Sequence, residues 1–68
     1  MPMCLAVYWE EGYGPDEVKK NLERVFPGAV FLPERSRLAL ELSTSKVPAL
    51  VREEIQEVEG VVRVDWLE

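Results

Sequence analysis

Residues 9–17 read W-E-E-G-Y-G-P-D-E, and the parsing of this stretch decides the fold. An alternating apolar run ends in it and a helical pattern begins. Gly12 and Gly14 break the alternation. Pro15 suits a first helical position, where no backbone donor is needed. Asp16 and Glu17 then fall in a first turn, where carboxylates interact favourably with the helix dipole. Downstream, Val18, Leu22, Val25 and Phe26 recur at helical spacing and predict one apolar stripe. Asp16 with Lys20, and Lys19 with Glu23, are spaced to pair on its solvent side. Pro27-Gly28 ends the helix. Upstream, residues 3–9 predict a central strand, with Met3, Leu5, Val7 and Trp9 on one face and Cys4, Ala6 and Tyr8 on the other.

The rest of the chain repeats this grammar. Residues 29–32 form a short β-prone run stopped by Pro33, and Glu34-Arg35-Ser36 makes a polar turn. Residues 37–43 alternate, with Leu38, Leu40 and Leu42 opposite Arg37, Ala39 and Glu41, so the two runs predict a hairpin. Ser43-Thr44-Ser45 offers capping hydroxyls and Pro48 begins a second helix. Val47, Leu50, Val51, Ile55 and Val58 are its expected buried stripe, and Gly60 its C′ residue. Residues 61–67 predict the last strand, with Val62, Val64 and Trp66 inward and Arg63 and Asp65 outward.

The order β-α-β-β-α-β, with short right-handed connections, predicts a single α+β domain over residues 1–68. Its architecture is ferredoxin-like, a four-stranded antiparallel sheet with both helices on one face. A chain this short buries about 60% of its unfolded surface, so its own core leaves a thin margin. Cys4 is the only cysteine and there is no histidine, which excludes an intrachain disulfide and argues against a structural zinc site. Efficient core filling or self-association must make up the difference.

Thirteen acidic against eight basic side chains give a net charge of −5, with no compensating basic stripe, so nucleic acid is not an expected partner. No apolar run approaches the ~20 residues of a membrane span. The opening residues lack the basic region and cleavage site of a secretion signal, so a cytoplasmic location is expected. Asn21 and Gln56 are the only side-chain amides, while Glu, Arg and Val are plentiful, a thermophile-like composition.

The uncovered sheet face should carry Cys4, Ala6, Tyr8, Arg37, Ala39, Glu41, Arg63 and Asp65, joined by Phe31 if the short second strand faces that way. Two readings stay open: an ordinary solvated face, or a homodimer formed by stacking or extending two sheets. An RNA-binding face would need paired aromatics in basic surroundings, and Tyr8 stands alone.

The initial strand, E-G-Y-G-P-D-E at the loop, V-K-K-N-L-E-R-V-F-P-G-A-V over 18–30 and V-P-A-L-V-R-E-E-I-Q-E-V-E-G over 47–60 resemble the heavy-metal-associated domain, the small copper-chaperone-like module. The resemblance runs over most of the chain and implies the same fold. That family holds soft metals with two cysteines, two residues apart, in the first loop. This chain has Tyr13, Gly14, Pro15 and Asp16 there and no thiol, so no metal ligand and no thiolate transfer chemistry carries over. Similar modules serve as amino-acid-sensing and dimeric regulatory domains, an analogy of fold alone.

Other chemistry finds little footing. Glu10, Glu11, Asp16 and Glu17 do not match a calcium loop, and Gly12-Tyr13-Gly14 lacks the lysine and further glycine of phosphate loops. No nucleophile–base pair is present, so no catalytic, cofactor-binding or metal residue is predicted and no cofactor is expected. Glu53, Glu54, Glu57 and Glu59 make the second helix acidic. The last two oppose its dipole, each by about 0.3–1 kcal/mol when exposed. Two readings stay open here as well: an ordinary solvated face, which is the favoured one, or a surface that receives a basic partner, such as Arg35 or Arg37 of another copy. The leading expectation is a non-catalytic, self-associating interaction or regulatory module, a homodimer able to take a further protein partner, with Tyr8, Phe31, Glu57 and Glu59 at its interface. The alternative is a small ligand or hard metal at the first loop, contacted by Trp9, Tyr13 and Asp16. There Trp9 closes the end of the core and Tyr13 is the exposed contact.

Overall fold

In the computed structural model, which describes residues 2–32 and 34–67, six elements follow one another: β1 (Pro2–Trp9), α1 (Pro15–Val25), β2 (Val30–Leu32), β3 (Leu38–Ser43), α2 (Pro48–Gln56) and β4 (Val61–Trp66). Met1, and Pro33 as the expected stop of β2, lie outside the described residues. The four strands form one antiparallel sheet in the order β2-β3-β1-β4. This is the expected ferredoxin-like βαββαβ architecture.

One core holds the layers together. Met3, Leu5 and Val7 of β1, Leu40 and Leu42 of β3, and Val61 and Val64 of β4 meet Val18, Leu22 and Phe26 from the first helix region. Val51, Ile55 and Val58 complete it from the second. Both helices therefore cover the same sheet face. Trp9 packs half-buried against the margin of this core, the place expected for it. Among the described residues no helix is long and apolar enough to cross a membrane.

The helix stripes are narrower than their spacing predicts. Val25, Val47 and Leu50 are exposed. Val25 lies to one side of the buried stripe set by Val18, Leu22 and Phe26, and Val47 precedes the first turn of α2. The expected hydroxyl cap of α2 does not form either. Its N-cap is Val47, with no side-chain cap, while the Thr44 hydroxyl accepts from the Lys46 N–H at 3.2 Å in the preceding turn. The C-cap is Glu57, so Gly60 is a turn residue beyond the helix end rather than its C′ position. Nor do the expected pairs of Lys19 and Lys20 with acids occur among the described residues. The Lys19 ammonium lies 5.4 Å from the centre of the Phe31 ring.

Two facings needed the register. Along β4 the pairing with β1 slips between Tyr8 and Trp9, so that Tyr8 faces Arg63 while Trp9 faces Val61. This bulge puts an extra residue on β4 and turns Val61 inward, 9% exposed, where alternation had placed Val62, which is 55% exposed. Trp66, expected in the core, stands half-exposed at the far end of β4. In β2, Phe31 lies opposite Leu40 and packs on the core, so it is not on the open face. Its neighbours Val30 and Leu32 are there instead, 54% and 48% exposed.

Candidate functional site

The first loop is built as a structural corner. The Glu10 N–H donates to the Gly60 carbonyl at 2.7 Å, and the Tyr13 N–H to the Glu10 carbonyl at 3.1 Å, folding the loop back against the turn before β4. Gly12 supplies φ +100° at the turn. Gly60, at φ +94°, has no space for a side chain. A Cβ there would stand 2.8 Å from Cδ2 of Tyr13 and 2.9 Å from Cγ2 of Val18. The Tyr13 ring is thus half-buried over Gly60 and against the core, rather than an exposed contact. Its desolvation, reinforced by the charges of Glu59, Glu10 and Glu17, pushes its phenol above the ordinary value.

The acids around this loop do not converge. Among the described residues no three acidic, cysteine or histidine side chains come together to hold a metal ion. Asp16 is exposed in a shallow groove that also includes Lys19, Phe31, Leu32 and Glu34, and neither Trp9 nor Tyr13 lines it. Sequence reasoning grouped Trp9, Tyr13 and Asp16 as one contact set. The structure separates them into two core-packing rings and one solvated helix start.

The open face of the sheet gathers the more unusual chemistry. The registers arrange it in three rows. Val30, Glu41 and Cys4 form one; Leu32, Ala39, Ala6 and Asp65 form the next; Tyr8 and Arg63 lie in the third, with Arg37 at its β3 end. The middle row is apolar over three strands, and its two alanines are fully covered by their neighbours. In the third row, Arg63 stacks on the Tyr8 ring at 4.3 Å and Arg37 Nη1 donates to the Tyr8 hydroxyl at 3.3 Å. The Arg37 hydrogen bond first, then that of Arg63, holds the Tyr8 phenol below its ordinary value. Arg37 also donates through Nε to Glu34 at 2.7 Å, and Arg63 pairs with Asp65 at 3.1 Å. These partners hold the Arg37 guanidinium protonated.

Glu41 stands apart from this network. It lies on a central strand, and its one side-chain hydrogen bond among the described residues comes from the Cys4 thiol at 4.0 Å. No cation of the described chain forms an ion pair with it. A carboxylate on a central strand with no intrachain cation is an available partner for a positive charge from outside.

The sheet edges are closed to extension. The Leu67 N–H donates to the Cys4 carbonyl at 2.9 Å. By the alternation of an antiparallel ladder, Val64 therefore turns its own carbonyl outward. That carbonyl accepts two hydrogen bonds from Arg52, at 3.1 and 3.2 Å, and the Val62 carbonyl accepts from Gln56 at 3.0 Å. An incoming strand would need those acceptors. At the other edge, β2 has only three residues, a length too short to template another chain. Glu57, at the C-cap of α2, and Glu59, whose carbonyl accepts from Asn21 at 3.1 Å, belong to the helix layer and are remote from the open face. Set beside known proteins, the chain matches no family model, no curated protein and no solved structure.

Proposed function

We propose that this chain is a non-catalytic interaction module, of the heavy-metal-associated type without its metal-binding cysteines, that self-associates in the cytoplasm through the open face of its sheet. The observation that carries this reading is the open face itself, where Val30 and Leu32 stand exposed beside Glu41, a carboxylate with no paired cation among the described residues. Leu32 and Val30 leave apolar surface uncovered at the β2 end of this face, and apolar surface removed from water stabilises an association by about 25 cal/mol per Å². The thin core of so small a domain gives that burial further value. With both edges closed, stacking is the route left to a second copy.

Mass in solution tests this reading. Sedimentation velocity across rising concentration should show conversion to a dimer by the high micromolar range, and Leu32→Lys should return the protein to a monomer while leaving its circular dichroism unchanged. A wild-type chain that stays monomeric at that concentration overturns the proposal.

A further inference from the structure

The charges of the open face specify how a second copy would lie on it. Glu41 lies on β3 and Arg37 directly precedes that strand, two positions to either side of Ala39. Strands alternate faces with period two, so Glu41 and Ala39 stand in line along β3, and Arg37, hydrogen-bonded to Tyr8, continues that line into the third row. Glu41 has no intrachain cation among the described residues. Arg37 uses Nε and Nη1 on Glu34 and Tyr8, while its Nη2 makes no hydrogen bond to the described chain. A carboxylate without a cation and a guanidinium with a spare donor thus flank an apolar row at equal distances.

Rotation by half a turn about an axis lying along the Leu32–Ala39–Ala6 row leaves that row facing itself and exchanges the two outer rows. We infer that two copies stack in this way, with Leu32 against Leu32 and Arg37 of each copy on Glu41 of the other. The contact is isologous, so each dimer contains the pair twice. Cys4 of one copy then lies beneath Tyr8 of the other, and the Asp65 carboxylates at the end of the row keep their own Arg63. An axis along the strands does the opposite. It sets Arg37 over Tyr8, leaves Glu41 over Cys4 without a cation, and puts Leu32 over Asp65. Charge complementarity therefore chooses the first arrangement.

This arrangement rests on the self-association proposed above, and reciprocal charge exchange tests it separately. Arg37→Glu places two acids opposite each other in a homodimer, and Glu41→Arg places two arginines there. Each variant alone should dimerise about tenfold to a hundredfold more weakly than wild type. An equimolar mixture of the two variants pairs Glu with Arg at both contacts, and so does the R37E/E41R double variant. Both should recover dimerisation to within a few-fold of wild type. Native mass spectrometry identifies the mixed species by mass, and circular dichroism confirms that each variant is folded. A wild-type dimer with no recovery in either the mixture or the double variant overturns this arrangement while leaving self-association intact. A monomeric wild type overturns both.

Discussion

The two tyrosines divide the molecule into two regions with opposite economies. Tyr13 lies in the loop where a domain of this shape would hold a ligand, yet its ring is spent on the core, seated over a glycine that has room for nothing else. Tyr8 lies on an open strand face that alternation alone reads as unremarkable, yet it is held between two arginines. The loop is organised by steric fit and the face by charge. A site is therefore better sought where polar groups are left with spare capacity than where the fold conventionally keeps one.

The sharpest way to break this contrast is at Gly60. Gly60→Ala meets both a left-handed backbone and contacts of 2.8 and 2.9 Å, and should cost about 2–4 kcal/mol in chemical denaturation. Gly12→Ala meets nothing within 4 Å and should cost only the backbone term, about 1–2 kcal/mol. Equal losses at the two positions would mean that the Tyr13 seat contributes little. Next in size comes the edge of β4. Removing the side chains that cap its carbonyls, in R52A/Q56A, should cost about 1 kcal/mol and raise light scattering on standing, as an edge opened to strand pairing would. A clear, unaggregated variant would show that the edge is protected by other means.

Absorbance titration compares the two regions directly. Tyr8→Phe should remove a phenol that ionises below 10.0, and Tyr13→Phe one that ionises above it. The linkage has opposite signs. Ionisation of Tyr8 favours the fold, so stability gained as pH rises through its depressed folded value is retained above the unfolded value. The raised value of Tyr13 favours its neutral form, so that contribution is present below 10 and is lost as pH rises toward its folded value. A single coincident titration would erase the distinction. The smallest effect belongs to the acids after α2. Charge reversal of Glu57 and Glu59 should leave association unchanged, because a contact from them to Arg37 of another copy excludes stacking of the open faces. Weakened assembly in that variant would move the interface to the helix layer.

Much of this fold is legible in the residues. Pro15 followed by two acids, the helical recurrence of Val18, Leu22 and Phe26, and the alternation of Leu38, Leu40 and Leu42 each point to one local structure, and together they admit one topology. What escapes is whatever depends on partners distant in the chain. Three residues of β2 contain no facing signal, so Phe31 inward and Leu32 outward needed Leu40 and Ala39 opposite them. Nothing local in Val61-Val62 announces the bulge that exchanges them. Tyr13 and Gly60 carry no mark of one another, separated as they are by two helices and two strands. The members of the open face were individually legible; their grouping into rows, with Glu41 and Arg37 flanking Leu32 and the alanines, emerged only from the registers.

One measurement bears on the central claim more directly than the rest: amide chemical shifts recorded while the protein is diluted from the high micromolar range. The amides of Leu32, Ala39, Ala6, Glu41 and Tyr8 should move together along a single association curve, while those of Gly12, Tyr13 and Gly60 stay in place. Shifts that are absent throughout, or that gather on the helices and the first loop, would contradict it.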